Sequence, residues 1–389
     1  MARIAFITPS LSLNHGVGDY VRLLAEEAIR LGNEVLILAL NEPHSSEYQG
    51  EIIRVGQKTL HAHRWGQHMG YPLKCREARR LLESFQPDWV SLQFEFYCYA
   101  RRGSLLGLTR NLPAVLKGYR VHVMLHELWV QLHAGGNLVE QAKGTVRYLQ
   151  CRYLFNTIKP LCVHTSVEPY AKGARHLLPG IKLLPVPSNI PVDREAPAPL
   201  PKEISETMME SKLRSSYLLV ILFGRIIPEW EGRIAVKQVD EFAKRTAKLV
   251  RLISIGGCGY NDLYWQKLAG QIPSTWRAIK LGIREPKFIS QTLQACDLAV
   301  SCTPFSLSRK SGTTAAFLEH GLPVLFSDKM PADEEIATSY PDRYRDQLYF
   351  GDRPLPLEAI GPRVLAEEAY SAQVTRQFIA DLFVAESRG

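Results

Sequence analysis

The chain has 389 residues, 46% of them hydrophobic and 22% charged, which is typical of a globular protein with an ample core and about two domains. No apolar stretch approaches the roughly 18 residues that a membrane-spanning helix needs. The net charge of +8 favours acidic partners such as phosphorylated metabolites. Because the basic residues are scattered along the chain, we expect no nucleic-acid partner.

The amino terminus and the cysteines indicate a cytoplasmic protein. The segment MARIAFITPS has one basic residue before a short apolar run, so it predicts a first strand and not a signal peptide. The seven cysteines form no CxxC pair, and several lie in apolar runs, as Cys162 does in PLCVHTS. We therefore expect reduced, buried thiols and no metal site.

In the first half of the chain, apolar runs that predict strands alternate with amphipathic patterns that predict helices. The predicted strands are 3–9, 34–40, 88–94, 119–126, 159–166 and 181–187. The predicted helices are 17–32, 72–86 and 138–158. This alternation predicts βαβ units and a parallel sheet.

A segment rich in proline and charge, 191–206, precedes a second series of the same kind. Its predicted strands are 216–224, 249–257, 276–282, 297–303 and 322–328. Its predicted helices are 232–246, 261–270, 286–295, a short one after Ser311, and a long helix or helix pair at 362–387. Two doubly wound α/β domains in one chain predict a central cleft at the strand ends, where ligands bind.

Glycines follow the first strand, in the segment NHGVGDY at 14–20. Gly16 and Gly18 would let the backbone approach a ligand at the start of the first helix. The third glycine of a dinucleotide-binding fingerprint is replaced by Val21, so a nicotinamide cofactor is not favoured. A tight turn without a ligand explains this segment about as well.

The segment HELW places His126 and Glu127 at the end of a predicted strand, next to the expected cleft. A histidine there can bind a sugar hydroxyl or act as an acid or base. The alternative is a histidine that only packs in the core or caps a helix.

In the second half, Arg225 follows the first strand, where an arginine suits bidentate contact with phosphate. The segment GGCGYND at 256–262 ends the next strand, and we interpret it as a turn in which Gly257 contacts a ligand.

The segment SLSRKSGTTAAFLEHGLPVLFSD at 306–328 runs from a basic, hydroxyl-rich loop into a short helix. Ser311 is the expected N-cap, followed by Gly312, Thr313 and Thr314 in the first turn. Free N–H groups and the positive helix end suit a pyrophosphate, and Arg309 adds charge. An ordinary capped helix with a solvated loop is the alternative.

Taken together, these segments resemble the GT-B-fold glycosyltransferases, and are similar to the retaining, nucleotide-sugar-dependent enzymes of family four. The resemblance covers nearly the whole chain. It depends on the order of six segments: NHGVGDYVRLLAEEAIRLG, VSLQFEF, HELW, FGRIIPEW, LGIREPKFISQTLQACDLAVSCTPF and TTAAFLEHGLPVLFSD.

The resemblance implies a domain for each half of the chain. Residues 1–192 would form an acceptor-side domain, 193–213 a linker, 214–361 the nucleotide-sugar domain, and 362–389 a helix that returns to the first domain.

It also implies roles for the candidate residues. Gly16 and Gly18 would approach the donor, and His126 would contact the transferred sugar. Arg225, Thr313 and Thr314 would hold the diphosphate.

The chain departs from this family at three positions. A basic residue expected shortly after Arg225 is replaced by Trp230 and Glu231, and Arg309 or Lys237 would have to supply the charge. The two glutamates that usually precede the GxPV segment are also missing. Alignment from Gly321 places Ala316 and Ser308 at their positions, and alignment on TPF places Thr303 at the first. Glu319 lies on the same helix but on a different face.

These features together predict a metal-independent, cytoplasmic glycosyltransferase with a nucleoside-diphosphate sugar as donor, no cofactor, and a carbohydrate, lipid-linked or small-molecule acceptor. The alternatives are a pseudo-glycosyltransferase, a sugar-nucleotide epimerase, and a degenerate GT-B protein that only binds. The basic, aromatic segment 54–80 would line an acceptor pocket or touch an anionic membrane, although a solvated face explains it better.

Overall fold

The computed structural model divides into two compact units, Met1–Pro185 with Ser371–Gly389, and Val186–Tyr370. It describes residues 1–387 except 13–15, 44, 46, 101–103, 129–137, 196–199, 227–229, 231, 258–262 and 362. The predicted linker 193–213 falls within the second unit, where the Asp193 N–H donates to Ser290 Oγ at 2.8 Å. The domain boundaries themselves stay a prediction.

The first unit contains an eight-stranded sheet in the order β3-β4-β2-β1-β5-β6-β7-β8. Its strands are β1 Arg3–Thr8, β2 Glu34–Glu42, β3 Tyr48–Val55, β4 Lys58–Gly66, β5 Trp89–Phe94, β6 Arg120–Leu125, β7 Cys162–Thr165 and β8 Lys182–Leu183. All pairs are parallel except β3 with β4. Every residue of β5 is buried, as expected for a parallel strand that is covered on both faces.

The second unit contains a parallel six-stranded sheet in the order β11-β10-β9-β12-β13-β14. Its strands are β9 Tyr217–Phe223, β10 Leu249–Ile255, β11 Arg277–Gly282, β12 Leu298–Ser301, β13 Val324–Phe326 and β14 Leu348–Phe350. The order reverses between β9 and β12, the topological switch point at which ligands bind in open α/β sheets.

Outside the run of β2, β3 and β4, helices lie between successive strands, as the periodicity predicts. They are α1 Gly16–Arg30, α2 Tyr71–Phe85, α3 Phe96–Tyr99, α4 Leu106–Leu116, α5 Leu138–Ile158, α6 Glu168–Ala174, α7 Lys202–Ser205, α8 Gly232–Arg245, α9 Leu263–Ala269, α10 Pro286–Ala295, α11 Gly312–Glu319, α12 Asp333–Ser339, α13 Asp342–Arg345 and α14 Tyr370–Glu386. Short 3₁₀ helices lie at Arg214–Ser216, Phe305–Lys310 and Leu357–Ala359. None of the helices in the described part of the chain is both long and apolar enough to cross a membrane.

The last helix belongs to the first unit, because the chain from Ser371 onward groups with it. It begins at Tyr370 and not at 362. On α14, Phe378 packs against Phe6 of β1, with ring centroids 5.9 Å apart. This contact buries one face of the helix against the first sheet.

Two parts of the first unit differ from the sequence patterns. The hairpin of β3 and β4 was not predicted, because most of β3 is exposed and its sequence has no apolar alternation. The predicted strand 181–187 is ordered as β8 over only two residues.

Candidate active site

Three loops meet at the carboxyl edge of the second sheet, because β10, β9 and β12 are neighbours in it. Gly224 follows β9 with a φ of +88°, and a Cβ there would lie 2.5 Å from Thr313 Cγ2. Gly256 follows β10 with a φ of +109°, and its Cβ would lie 2.9 Å from the Gly224 oxygen. Both positions therefore need glycine, and together they pack β9, β10 and the first turn of α11 against one another.

The N-terminus of α11 is capped as the sequence predicts. Ser311 Oγ accepts a hydrogen bond from the Thr314 N–H at 3.2 Å. Ser311 Oγ and Thr313 Oγ1 also lie 2.8 Å apart, within hydrogen-bonding distance. Thr314 is fully buried, whereas Ser311, Gly312 and Thr313 are half-buried. The first turn of α11 therefore keeps only Ser311, Gly312 and Thr313 within partial reach of a ligand.

The segment before α11 is held by its aromatic end. Phe305 packs against Phe326 and Phe350, with ring centroids 5.4 and 5.2 Å apart. Its N–H donates to Asp328 Oδ2 at 3.0 Å. This anchor fixes the 3₁₀ helix that ends in Arg309 and Lys310 and leads into α11.

Two arginines follow strand ends of this sheet. Arg225 is exposed and has no hydrogen bond or ion pair with the residues that the structure describes. Arg309 is half-buried, and its side chain hydrogen-bonds Tyr370. Among the described residues, Arg309 Nε has no partner. Donors of this kind suit a phosphate oxygen.

Gly257 is exposed, and a Cβ on it would meet none of the described residues within 4 Å. It therefore differs from Gly256, whose lack of a side chain is required by packing. A ligand contact at Gly257 stays a prediction.

In the first unit, the two predicted glycines have different surroundings. A Cβ on Gly18 would lie 2.7 Å from the Ser10 oxygen and 3.2 Å from Leu11 Cα, so packing of α1 against the preceding loop requires this glycine. Gly16 is exposed, and a Cβ there would meet none of the described residues within 4 Å. Packing explains Gly18, whereas a ligand contact at Gly16 stays a prediction.

Sequence patterns missed Glu42, the buried carboxylate that shapes this loop. Its oxygens accept hydrogen bonds from Ser10 Oγ at 2.7 Å, the Leu11 N–H at 2.6 Å and Ser12 Oγ at 2.6 Å. No motif marks Glu42, because it lies at the end of β2 and meets the loop only through the fold.

His126 lies at the end of β6, as predicted, and is 9% exposed. Its backbone N–H donates to the Phe94 oxygen at 2.9 Å, and its Nε2 lies 3.0 Å from Gln93 Oε1. The ring packs edge-on against Tyr20, with centroids 5.0 Å apart. Burial raises the Tyr20 pKa, so this phenol is neutral and gives His126 an apolar wall.

Glu127 is half-buried beside Cys98. Burial, then Glu95, and then the charge of Glu127 raise the pKa of the Cys98 thiol. Cys98 is therefore a protonated thiol and not a nucleophile. Five other free cysteines in the described residues are buried, as predicted: Cys75, Cys151, Cys162, Cys296 and Cys302. Cys258 lies outside the described residues.

The positions at which the resemblance predicts carboxylates lie in packed surroundings. Ala316 is fully buried, and Ser308, at 1% exposure, donates to the Phe305 oxygen at 2.6 Å and accepts from Tyr340 at 2.6 Å. Thr303 is half-buried, and its N–H donates to Ser301 Oγ at 3.1 Å. A donor sugar would have to be held by other groups.

Four residues bear on the basic side chain that is missing after Arg225: Trp230 and Glu231 at its position, and Lys237 and Arg309 as predicted substitutes. Trp230 packs on the core of the second unit and donates from Nε1 to Ser327 Oγ at 3.1 Å. Lys237 lies on the exposed face of α8, 3.9 Å from Glu241. Glu231 lies outside the described residues. Of the two predicted substitutes, Arg309 is the one that lies next to α11.

Glu319 on α11 has a structural role. It is 4% exposed, and its carboxylate accepts hydrogen bonds from the Ser188 and Tyr370 N–H groups, each at 3.4 Å. Burial raises its pKa to about 7 against the lowering effect of these hydrogen bonds. The carboxylate thus ties together the two ends of the second unit.

The basic segment 54–80 presents paired charges along α2. Arg80 lies 3.1 Å from Glu77, and Arg79 lies 2.7 Å from Glu83. Lys74 of the same helix is fully buried. This arrangement fits a solvated helix face.

Comparisons with known proteins bear on the fold. Neither a protein-family model nor a curated protein sequence matches this chain. HepE from Anabaena in complex with UDP and glucose has a TM-score of 0.56 at 13% identity, covering 99% of this chain and 100% of that one. The catalytic domain of starch synthase IV from Arabidopsis thaliana, bound to ADP and acarbose, has a TM-score of 0.51 at 13% identity. The match covers 98% of this chain and 92% of that one.

The α,α-trehalose 6-phosphate synthase from Burkholderia multivorans has a TM-score of 0.52 at 10% identity, covering 100% of both chains. The chain has the GT-B fold. The predicted fold class is thereby confirmed. At these identities the similarity shows the fold, whereas activity has to be argued from the site.

Proposed function

We propose that the protein is a glycosyltransferase that moves a sugar from a nucleoside diphosphate to an acceptor hydroxyl. The observation that carries this proposal is the carboxyl edge of the second sheet. There Gly224 and Gly256 pack the strand ends against the N-terminus of α11, next to the exposed Arg225. This arrangement combines helix-end N–H groups with a guanidinium that bonds none of the described residues, and donors of both kinds suit a diphosphate.

The proposed reaction breaks the bond between the anomeric carbon and the diphosphate oxygen. A bond from the acceptor oxygen to that carbon forms with retained configuration, and the acceptor proton is released. Negative charge then develops on the departing nucleoside diphosphate. Arg225, Arg309 and the α11 N-terminus would stabilise that charge electrostatically, in place of a metal ion.

The exposed or half-buried candidates, together with His126, would hold the donor, whereas Gly18 is required by packing and Thr314 is fully buried. In the second unit, Ser311, Gly312, Thr313 and Gly257 would contact the nucleotide. In the first unit, Gly16 would approach the donor and His126 would contact the transferred sugar. The buried wall that Tyr20 forms beside His126 supports a fixed ring orientation. The role of Glu127 stays a prediction.

Two of the similar structures support a nucleotide ligand without selecting its base. The HepE complex contains UDP, and the starch synthase complex contains ADP. We therefore leave the base open and make it the first result of the test below.

The test is a thermal-shift panel with UDP, GDP, TDP, ADP and CMP on the wild type, Arg225→Ala and Lys237→Ala. We expect one diphosphate to stabilise the wild type, with a weaker shift in Arg225→Ala. The control Lys237→Ala, an exposed cation of the same unit, should behave like the wild type. A protein that no diphosphate stabilises would favour the alternative of a GT-B protein that binds other partners.

A second candidate function follows from the buried positions Ala316 and Ser308, which carry no carboxylate. A pseudo-glycosyltransferase or a sugar-nucleotide epimerase on this fold would bind the donor sugar through residues other than these carboxylates. Product analysis separates the three reactions: a new glycosidic bond, a non-glycosidic coupling product, or an epimerised donor.

The acceptor and the cellular location stay predictions. The proposed acceptor is a carbohydrate, a lipid-linked acceptor or a small molecule, and the proposed location is the cytoplasm or the inner membrane face. Salt-sensitive sedimentation with anionic liposomes would support the membrane contact, and its absence would discard it.

A further inference from the structure

A line of hydrogen-bonded polar side chains crosses the interior of the first unit from His126 to the last helix. Its inner members are at most 1% exposed: Ser91, Gln93, His122 and His164. They lie on three neighbouring strands, since β5 pairs with β6 and β6 with β7. Phe378 of α14 covers the two imidazoles, with ring centroids 5.0 Å from His122 and 6.5 Å from His164.

At the helix end, the direction of hydrogen bonding is set by an ionised carboxylate. Asp381 of α14 forms an ion pair with Lys182 and accepts from His164 Nε2 at 3.0 Å. Burial alone would raise the Asp381 pKa, but the hydrogen bonds from His164 and Lys182 lower it below the usual value. An ionised carboxylate only accepts hydrogen bonds, so His164 must carry its proton on Nε2.

Lys182 already balances the charge of Asp381, so a neutral His164 leaves this buried group without net charge. Neutral His164 has a bare Nδ1, which accepts from His122 Nε2 at 2.9 Å. Burial, and then the neighbouring imidazoles, lower the His122 pKa, so this ring is also neutral. Its Nδ1 is then bare and accepts from Ser91 Oγ at 2.8 Å.

The hydrogen bonds continue from Ser91 through Gln93 to His126. The Ser91 hydroxyl donates its proton to His122 Nδ1, so its Oγ accepts from Gln93 Nε2 at 2.7 Å. The Gln93 amide is thereby oriented with Oε1 toward His126, whose Nε2 lies 3.0 Å away. An amide oxygen only accepts, so His126 carries a proton on Nε2.

We propose that Asp381, acting through His164, His122, Ser91 and Gln93, sets the tautomer of His126. The ring then keeps its proton on Nε2, where it meets Gln93 Oε1. Resting on the proposed function, this fixed tautomer would serve the contact of His126 with the transferred sugar. Asp381, His164, His122, Ser91 and Gln93 are positioning residues, because they act on the sugar only through His126.

A metal ion is the competing explanation for part of this line. His122, Cys162 and His164 place one ligand atom each within 4.8 Å of one another. Both nitrogens of each imidazole, however, already have hydrogen-bond partners. Burial and then the charge of Asp381 raise the Cys162 pKa to about 12, so the thiol is protonated. Hydrogen bonding accounts for all three side chains.

The experiment uses nitrogen-15 NMR on full-length protein labelled in histidine, with His126→Gln to assign the His126 signals. In the wild type we expect a single His126 tautomer with its proton on Nε2. Asp381→Asn replaces the carboxylate with an amide that can also donate to His164, so the direction is no longer imposed. We expect this variant to show a mixture of tautomers or the reverse one at His126.

Two further variants keep the test decisive. Glu386→Gln is the matched control, because Glu386 lies on the same helix and forms an ion pair 2.6 Å from Arg120; it should leave the His126 signals unchanged. Ser91→Ala interrupts the line at its centre and leaves Asp381 intact, so it serves if Asp381→Asn fails to fold. We expect Ser91→Ala to give the same mixture, because the Gln93 amide is then free to flip.

Steady-state kinetics completes the test. We expect Asp381→Asn to lower kcat by about tenfold or more with little change in the donor KM, since a wrong tautomer impairs catalysis more than binding. Retention of the single Nε2–H tautomer in both Asp381→Asn and Ser91→Ala would overturn the proposal, as would a stoichiometric transition metal in the purified protein. Absence of sugar transfer by the wild type would refute the proposed function alone, because the NMR result stands apart from it.

Discussion

In the first unit, His126 is 9% exposed and is held through Gln93 by a line of buried polar groups. In the second unit, Arg225 is exposed and bonds none of the described residues. The histidine is held by the protein itself, whereas the arginine has no partner among the described residues. Under the proposed function, His126 would contact the transferred sugar and Arg225 would stabilise the charge of the leaving group.

The largest effect is expected from the exposed side of this comparison. If the proposed function holds, Arg225→Ala should lower kcat by about 10²–10³-fold, because it removes a donor that would stabilise the developing charge. Its melting temperature should match that of the wild type, because the side chain has no described partner to lose. Steady-state assays and thermal melts check both. Activity within twofold of the Lys237→Ala control would remove Arg225 from the site.

Glu319 is a buried ionisable group in the second unit, in contrast to the exposed Arg225. Its pKa of about 7 lies above the ordinary 4.5, so the folded protein binds more protons than the unfolded chain between these values. The free energy of unfolding should therefore fall as the pH rises through that window, by on the order of 3 kcal/mol.

Thermal melts from pH 4.5 to pH 8 would measure this loss, and Glu319→Gln should abolish it. Glu241→Gln, at an exposed position on α8, should keep the wild-type slope. An unchanged slope in Glu319→Gln would show that another group titrates.

The two glycines of the first unit sharpen the comparison between packing and ligand contact. Gly18→Ala should destabilise the protein by about 1–3 kcal/mol, because its Cβ would lie 2.7 Å from the Ser10 oxygen. Gly16→Ala should leave stability unchanged and weaken donor binding only. Chemical denaturation and donor titration of both variants decide between these outcomes. Equal loss of stability in the two would contradict the difference in surroundings.

The smallest effect concerns the cap of α11. Ser311→Ala removes the acceptor of the Thr314 N–H and should cost about 1 kcal/mol of stability. Ser306→Ala, at an exposed position of the preceding 3₁₀ helix, is the matched control. A Ser311→Ala variant as stable as this control would show that the cap is replaced by another acceptor.

Much of the fold could be read from periodicity, because strands covered on both faces have continuous apolar sequences. Helix α10 has the predicted bounds of 286–295. The hairpin of β3 and β4 was missed because an exposed edge strand has no such pattern. The start of α14 was placed eight residues early, since the apolar periodicity of 362–387 does not mark where the helix begins.

Some residues of the candidate site could also be predicted from the sequence, and others could not. Strand ends carry their residues in sequence, so the positions of His126, Arg225 and the Ser311 cap could be predicted. The role of Gly18 as a packing glycine could not, because it depends on the distance to Ser10. Asp381 lies 255 residues after His126, and no pattern connects them.

The sequence by itself determined the alternation of strands and helices, the glycines at strand ends and the capped start of α11, because these depend on residues close together in the chain. Only the tertiary structure decided that Glu42 holds the loop before α1, that Ala316 and Ser308 are buried, and that a polar line joins Asp381 to His126. Each of these depends on side chains that meet across strands, and their contacts exist only after the sheet has formed and the last helix has packed on it.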